Sequence, residues 1–210
     1  MRTIDDRNLY LVITEKYGMG RSALVIAERA LAGGVDIIQM REKERPAAEL
    51  LKTATDMVAA CKKKKALFIV NDDPALAARA GADGVHLGQE DTKRFSIRST
   101  REIVGRDSII GVSTHSLDQF AEANEADVDY VAFGPVFPTK TKDYFIGTAD
   151  ISEVLKIAEK PVFFIGGINL SNIDELLTRG ARNIALIRGI TEADDIEASA
   201  RQYKELMGRC

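Results

Sequence analysis

Apolar positions along the chain fall into short, nearly continuous runs, separated by longer stretches in which they recur every three to four residues. The runs predict eight strands, at Leu9–Ile13, Ile37–Met40, Leu67–Val70, Gly84–Leu87, Ile109–Val112, Tyr130–Phe133, Val162–Ile165 and Asn183–Ile187. The stretches between them predict helices at Arg21–Ala32, Pro46–Cys61, Pro74–Ala80, Ser96–Val104, Leu117–Glu125, Asp150–Ala158, Leu170–Arg179 and Asp194–Met207. Strands apolar on both faces, alternating strictly with helices, predict an α/β protein with a parallel sheet covered by helices.

A weak repeat adds to this picture. The even-numbered strands are preceded by Gly34-Val35-Asp36, Gly81-Ala82-Asp83, Asp127-Val128-Asp129 and Gly180-Ala181-Arg182. A glycine just past a helix can take the left-handed conformation that ends it, so each copy is a helix stop feeding a strand. A two-unit module used four times predicts a (β/α)8 TIM barrel. An open doubly wound sheet is the alternative fold, but no Gly-x-Gly-x-x-Gly follows the first strand.

Composition narrows the function classes. With 210 residues, 45% of them hydrophobic, the expectation is a single barrel domain over 1–210. The chain has no apolar run long enough to span a bilayer, and Met1 to Asp6 is polar, so a cytoplasmic protein without a membrane partner is expected. A net charge of −3 argues against a nucleic-acid surface. The basic run Lys62 to Lys65 fits a solvated helix end, where cations complement the dipole. Cys61 and Cys210 show neither disulfide nor metal spacing. Small-molecule substrates are the expected partners, and homo-oligomerisation stays open.

In such barrels the chemistry gathers at the C-terminal ends of the strands. There, Gln39, Arg41 and Lys43 alternate and so project to one side, where they could grip a phosphate; the alternative is that Arg41 and Lys43 pair with Glu42 and Glu44 on the surface. Asp72 and Asp91 close neighbouring strand ends, a hard oxygen pair suited to Mg2+ shared with substrate phosphates. Either aspartate could instead cap the helix that follows. Gly166-Gly167, after the seventh strand, suits a monophosphate. His86, inside the fourth strand, is read as a core or lining residue, whereas His115 at the fifth rim is a candidate for acid–base work.

Taken together, Gln39–Lys43, Asn71-Asp72, Gly81–Asp91, Gly111–His115, Gly134–Lys142 and Ile165–Ile168 resemble the thiamine phosphate synthase family along nearly the whole chain, the Gly134–Lys142 run being the most specific. The resemblance implies condensation of hydroxymethylpyrimidine diphosphate with a thiazole phosphate, yielding thiamine phosphate and diphosphate. It further implies that Gln39, Met40, Arg41, Glu42, Lys43 and Asn71 surround the pyrimidine diphosphate, with Ser113 and Lys142 completing the grip. Asp72 and Asp91 would hold Mg2+, and Thr139, Thr141, Gly167, Ile187 and Arg188 would face the thiazole phosphate.

One departure stands out. After Ile187 the family usually has Ser-Ala, and this chain has Arg188-Gly189. Arg188 could bind the phosphate, block the pocket, or turn away onto Glu192. Two rival functions are a thiazole tautomerase, which needs an acid–base group such as His115 but no metal-bound diphosphate, and a catalytically silent regulator that binds thiamine precursors. The Lys142–Gly147 segment is a candidate lid.

Overall fold

A computed structural model describes residues 3–42 and 45–208. Eight strands, β1 (Leu9–Ile13), β2 (Ile37–Met40), β3 (Leu67–Asn71), β4 (Gly84–Leu87), β5 (Ile109–Thr114), β6 (Tyr130–Phe133), β7 (Val162–Ile165) and β8 (Asn183–Leu186), pair in sequence order, all parallel. Pairing of Leu9 with Ile184 and of Leu11 with Leu186 closes β1 on β8, so the sheet is a barrel and the open alternative falls.

Outside lie the helices α1 (Ala23–Ala32), α2 (Ala47–Lys63), α3 (Pro74–Ala80), α4 (Gln89–Arg94), α5 (Ile97–Val104), α6 (Leu117–Glu125), α7 (Ile151–Ile157), α8 (Ile173–Thr178), α9 (Arg188–Thr191) and α10 (Ile196–Met207). Side-chain alternation along each strand divides the core into two layers. Leu9, Leu11, Ile13, Ile38, Met40, Phe68 and Val70 pack outward against the helices. Tyr10, Val12, Ile37, Leu67, Ile69, Ile109, Tyr130 and Phe163 fill the barrel interior. Both layers are dry, which is why the strands look apolar throughout rather than alternating.

The repeat before the even strands acquires a physical meaning. Gly34, Gly81 and Gly180 have φ of 96°, 70° and 96°, as a left-handed helix stop requires; the third copy leaves its helix through Ala126 without one. Carboxylates do the rest. Asp36 Oδ2 accepts from the amides of Asn8 and Leu9 at 3.1 and 2.9 Å, Asp83 Oδ2 from Phe68 at 2.9 Å, and Asp129 Oδ2 from Ile110 at 2.7 Å. Each carboxylate thus holds the start of the preceding odd strand and fixes register on the face opposite the rim. Arg182 breaks the pattern in the fourth copy, reaching Leu177 O instead.

Three short elements depart from the sequence expectation. A 3-10 turn at Glu15–Tyr17, α4 and α9 lie in segments read as loops. α8 starts at Ile173 rather than Leu170, because Asn169 Oδ1 accepts from Ser171 N and Asn172 Oδ1 from Asn169 N, closing a side-chain turn that competes with the helix. Lys62 to Lys65 are exposed at the end of α2, with Lys65 at φ 57°, as a solvated helix end.

Candidate active site

The first compartment forms at the ends of β2 to β5. In the ladder Gln39 pairs with Val12 and Ile69, both interior residues, so its side chain enters the barrel, where it is 3% exposed. Met40 points the other way and packs beneath the helices, so its thioether does not reach the rim. Arg41 continues the strand register: its N–H donates to Ile13 O and its carbonyl accepts from Thr14 Oγ1, keeping it on the side of Gln39. Lys43 and Glu44 lie outside the described residues.

Glu42 reaches across to the loop after β1. Its Oε1 accepts from Glu15 N at 2.6 Å, and partial burial, assisted by the Glu15 charge, raises its carboxyl pKa against the pull of that bond. Arg45 takes Glu15 and Glu49, at 3.0 and 3.1 Å. Glu42 thereby fastens the loop after β1 to the loop after β2.

Asp72 follows Asn71 with φ 64°, a left-handed conformation that costs a non-glycine residue roughly 1–2 kcal/mol. The cap of α3 is Asp73, whose Oδ1 accepts from Leu76 N. The Asp72 amide donates to His86 O at 2.8 Å, which fixes Asp72 beside β4. On that neighbouring strand end Asp91 stands in the first turn of α4, and one of its oxygens accepts from Gly88 N at 3.2 Å. Among the described residues no cluster of three or more metal-ligating side chains occurs. Asp72 and Asp91 thus stand at adjacent strand ends, and carboxylates are the donor type that a hard cation takes.

β5 contributes Ser113, held from both sides. Gln89 Nε2 donates to its carbonyl at 2.6 Å, and His86 Nε2 lies 2.8 Å from its Oγ. Burial depresses the His86 pKa to about 4, the charges of Arg41 and His115 adding to the effect and Asp91 opposing it. Those charges register the convergence of residues from β2, β4 and β5 on one mouth. His115 is half-buried, with Nδ1 against Gly134 O, an atom that can only accept, so the ring proton sits on Nδ1. Burial lowers its pKa too, and the Lys142 charge lowers it further; Lys142 Nζ lies 5.4 Å from the centroid of the Tyr144 ring, which meets His115 edge-on.

The second compartment is a cavity of about 560 Å3 walled by the loops after β6, β7 and β8, with Thr139, Thr141, Gly167, Ile187 and Arg188 in its lining. Val136 N and Phe137 N donate to Ile165 O and Gly166 O, so the first two loops are sewn together. Gly166 and Gly167 have φ of 103° and 66°, and a Cβ on either would overlap Pro135 or the Phe137-Pro138 backbone. Glycine is needed there for conformation and space alike. Arg188 is turned onto Glu192, with Nε–Oε1 at 2.7 Å and a second bond of 3.0 Å, and its guanidinium lies 5.7 Å from the Tyr17 ring centroid. The pair stays in the cavity wall, and the Arg188 bond holds the Glu192 carboxyl below its usual range.

The sequence pointed to most of this rim, and of the three options open for Arg188 the structure takes the pairing with Glu192; Tyr10 and Tyr130 beneath the rim were left out. The signal for Tyr130 was its register partner Gly111, where a Cβ would overlap the tyrosine ring.

The match to known proteins is decisive. Residues 9–190 fit the family model described as thiamine monophosphate synthase (TMP-TENI). The chain belongs to the thiamine monophosphate synthase family. The thiamine-phosphate synthase of Thermus thermophilus is 42% identical over 201 residues, covering 94% of this chain and 95% of that protein. That of Persephonella marina is 37% identical over 204 residues, covering 96% of each. Among solved structures, a thiamine phosphate pyrophosphorylase from Pyrococcus furiosus superposes with a TM-score of 0.88 at 31% identity, covering 96% of both chains. The family likeness thus spans both compartments.

Proposed function

We propose that the protein is a Mg2+-dependent thiamine-phosphate synthase, a transferase that joins 4-amino-5-hydroxymethyl-2-methylpyrimidine diphosphate to hydroxyethylthiazole phosphate and releases thiamine phosphate and diphosphate. The observation that carries this reading is the division of one rim into two anion compartments. One has paired carboxylates with Arg41, Ser113 and Lys142; the other is a glycine-lined cavity followed by the short helix α9, where this fold often binds a monophosphate.

The chemistry follows from the residue types. The C–O bond to diphosphate breaks first and leaves a pyrimidine-stabilised cation; the thiazole nitrogen then donates its lone pair to form the C–N bond. No proton is lost from that nitrogen, so no general base is needed. The barrier lies in the departing charge, which Arg41, Lys43 and Lys142 neutralise, while Gln39, Asn71 and Ser113 orient the pyrimidine end. Glu42 acts by holding the β2 loop, and Met40 through its backbone. Asp72 and Asp91 would hold Mg2+, which would supply further neutralisation of the departing diphosphate charge. In the second compartment Thr139, Thr141, Gly167, Ile187 and Arg188 hold the thiazole phosphate facing the first.

The tautomerase alternative has no use for the Asp72–Asp91 pair. Purified protein given both substrates and Mg2+ is expected to form thiamine phosphate, and EDTA to abolish the reaction. Absence of product over a wide range of substrate concentrations would overturn the reading, and failure of EDTA to inhibit would remove the metal from it.

A further inference from the structure

Beneath the rim, the barrel interior carries a continuous line of hydrogen bonds. Gln39 Nε2 donates to Tyr10 Oη at 2.7 Å; Tyr10 Oη lies 2.8 Å from Tyr130 Oη; Tyr130 Oη lies 2.9 Å from His86 Nδ1; and His86 Nε2 lies 2.8 Å from Ser113 Oγ. The five residues come from β2, β1, β6, β4 and β5. Tyr10, Tyr130, Gln39 and His86 are 2%, 0%, 3% and 6% exposed, so the line is sealed from solvent until it reaches Ser113. Its geometry is held by packing: the Tyr130 ring stacks on His86 with centroids 5.5 Å apart, and both tyrosines meet Phe163 edge-on. Gly111 leaves the space that the Tyr130 ring occupies.

The direction of the protons along this line is determined at its Gln39 end. An amide nitrogen only donates, so Tyr10 Oη accepts from Gln39. The Tyr10 proton then goes to Tyr130 Oη, since any other direction strands a buried hydroxyl proton at about 1–3 kcal/mol. The Tyr130 proton in turn goes to Nδ1 of His86. With Nδ1 accepting, the ring proton of neutral His86 is on Nε2 and donates to Ser113 Oγ. The Ser113 hydroxyl proton is left to point outward.

We infer that Gln39, Tyr10, Tyr130 and His86 form a polarised relay that makes Ser113 an obligate hydrogen-bond donor toward the bound pyrimidine diphosphate. It rests on the synthase reading for the identity of the acceptor, a ring nitrogen or diphosphate oxygen, but not for its direction. Tyr10, Tyr130 and His86 are positioning residues in this scheme; none needs to touch the reacting atoms. Reversing the Gln39 amide would invert every bond in the line and turn Ser113 inward, so the relay is an all-or-none device set by one side chain.

Two measurements test it. The chain has two histidines, so 15N-histidine NMR of the intact His115→Asn enzyme near neutral pH reports His86 alone. The relay predicts the tautomer with the proton on Nε2; the Nδ1–H tautomer, or an exchanging mixture, overturns it, and this readout is independent of whether the enzyme turns over. The second is a kinetic cycle of Tyr130→Phe, Ser113→Ala and the double variant. Tyr130→Phe is expected to raise the KM for the pyrimidine diphosphate about tenfold with that for the thiazole phosphate unchanged, and to add nothing once Ser113 is alanine. Additive effects, or equal changes in both KM values, would show that Tyr130 acts outside the relay. If wild-type protein made no thiamine phosphate, the synthase reading would fall while the tautomer result stood.

Discussion

Arg188→Ser probes the second compartment most sharply, because it restores the residue usual in the family and leaves Glu192 in place. In the structure Arg188 gives both of its hydrogen bonds to Glu192 while lining the cavity. The substitution removes a guanidinium able to bind the thiazole phosphate with charge-assisted bonds, worth roughly 1.5–3 kcal/mol, and a serine hydroxyl returns about 0.5–1.5 kcal/mol. It also exposes the incoming phosphate to an uncompensated carboxylate. At a separation of about 8 Å and an effective dielectric near 20 that repulsion is roughly 2 kcal/mol, cut to about half by salt. After allowing for water around the partly exposed pair, the net loss is about 1.5–2 kcal/mol, a roughly 10- to 30-fold rise in the KM for the thiazole phosphate. Steady-state kinetics with each substrate varied in turn gives the number, with the KM for the diphosphate expected to stay within about twofold. Because the pair contributes at most about 1 kcal/mol to stability, Tm should fall by less than roughly 4 °C. Adding Glu192→Gln should recover roughly half of the lost affinity, the share due to repulsion. No change in either KM, or a larger change for the diphosphate, would place Arg188 outside the phosphate site.

Asp91→Asn should reduce turnover by at least about a hundredfold with Tm little changed, whereas Asp36→Asn, on the opposite face, should leave kcat intact and weaken folding by about 1.5–3 kcal/mol, a Tm fall of roughly 3–12 °C; similar kinetic effects of the two would refute the location of the site. Gly167→Ala forces a side chain into a left-handed position already crowded by Phe137 and Pro138, so the KM for the thiazole phosphate should rise roughly 5- to 30-fold, corresponding to about 1–2 kcal/mol of strain; an unaltered KM would count against the glycine cup. Burial pushes the His115 pKa down, so its titration lies at lower pH than that of an exposed imidazole. His115→Asn should therefore leave the shape of the pH–rate profile above about pH 6.5 unchanged; a lost ionisation in that range would give His115 the acid–base role denied to it here.

The barrel was legible because its causes are local. Dry strands, helices on a 3.6-residue period and glycine stops each leave a mark in a window of a dozen residues, and all eight helices expected end within two residues of their observed C-termini. The carboxylates of Asp36, Asp83 and Asp129 were visible as a repeat, but their task was not, since they hold amides 15 to 28 residues away. Rim positions such as Arg41, Asp72, Asp91 and Gly167 could be found from strand ends alone. What eluded the sequence depends on contacts across the barrel: the line from Gln39 to Ser113 joins five strands, and periodicity gives no hint that Tyr10 and Tyr130 meet. The short helices α4 and α9 were missed because neither spans two full turns of apolar pattern, and α9 begins with an arginine and a glycine that resemble a loop.

The central claim is that one rim condenses two phosphorylated substrates through loss of diphosphate. Its most direct test is a chromatographic assay with purified protein, both substrates and Mg2+, following thiamine phosphate and diphosphate together. Equimolar appearance of the two products, dependent on both substrates and abolished by EDTA, is the predicted result. No thiamine phosphate at any substrate concentration, or diphosphate released without thiamine phosphate, would contradict the account.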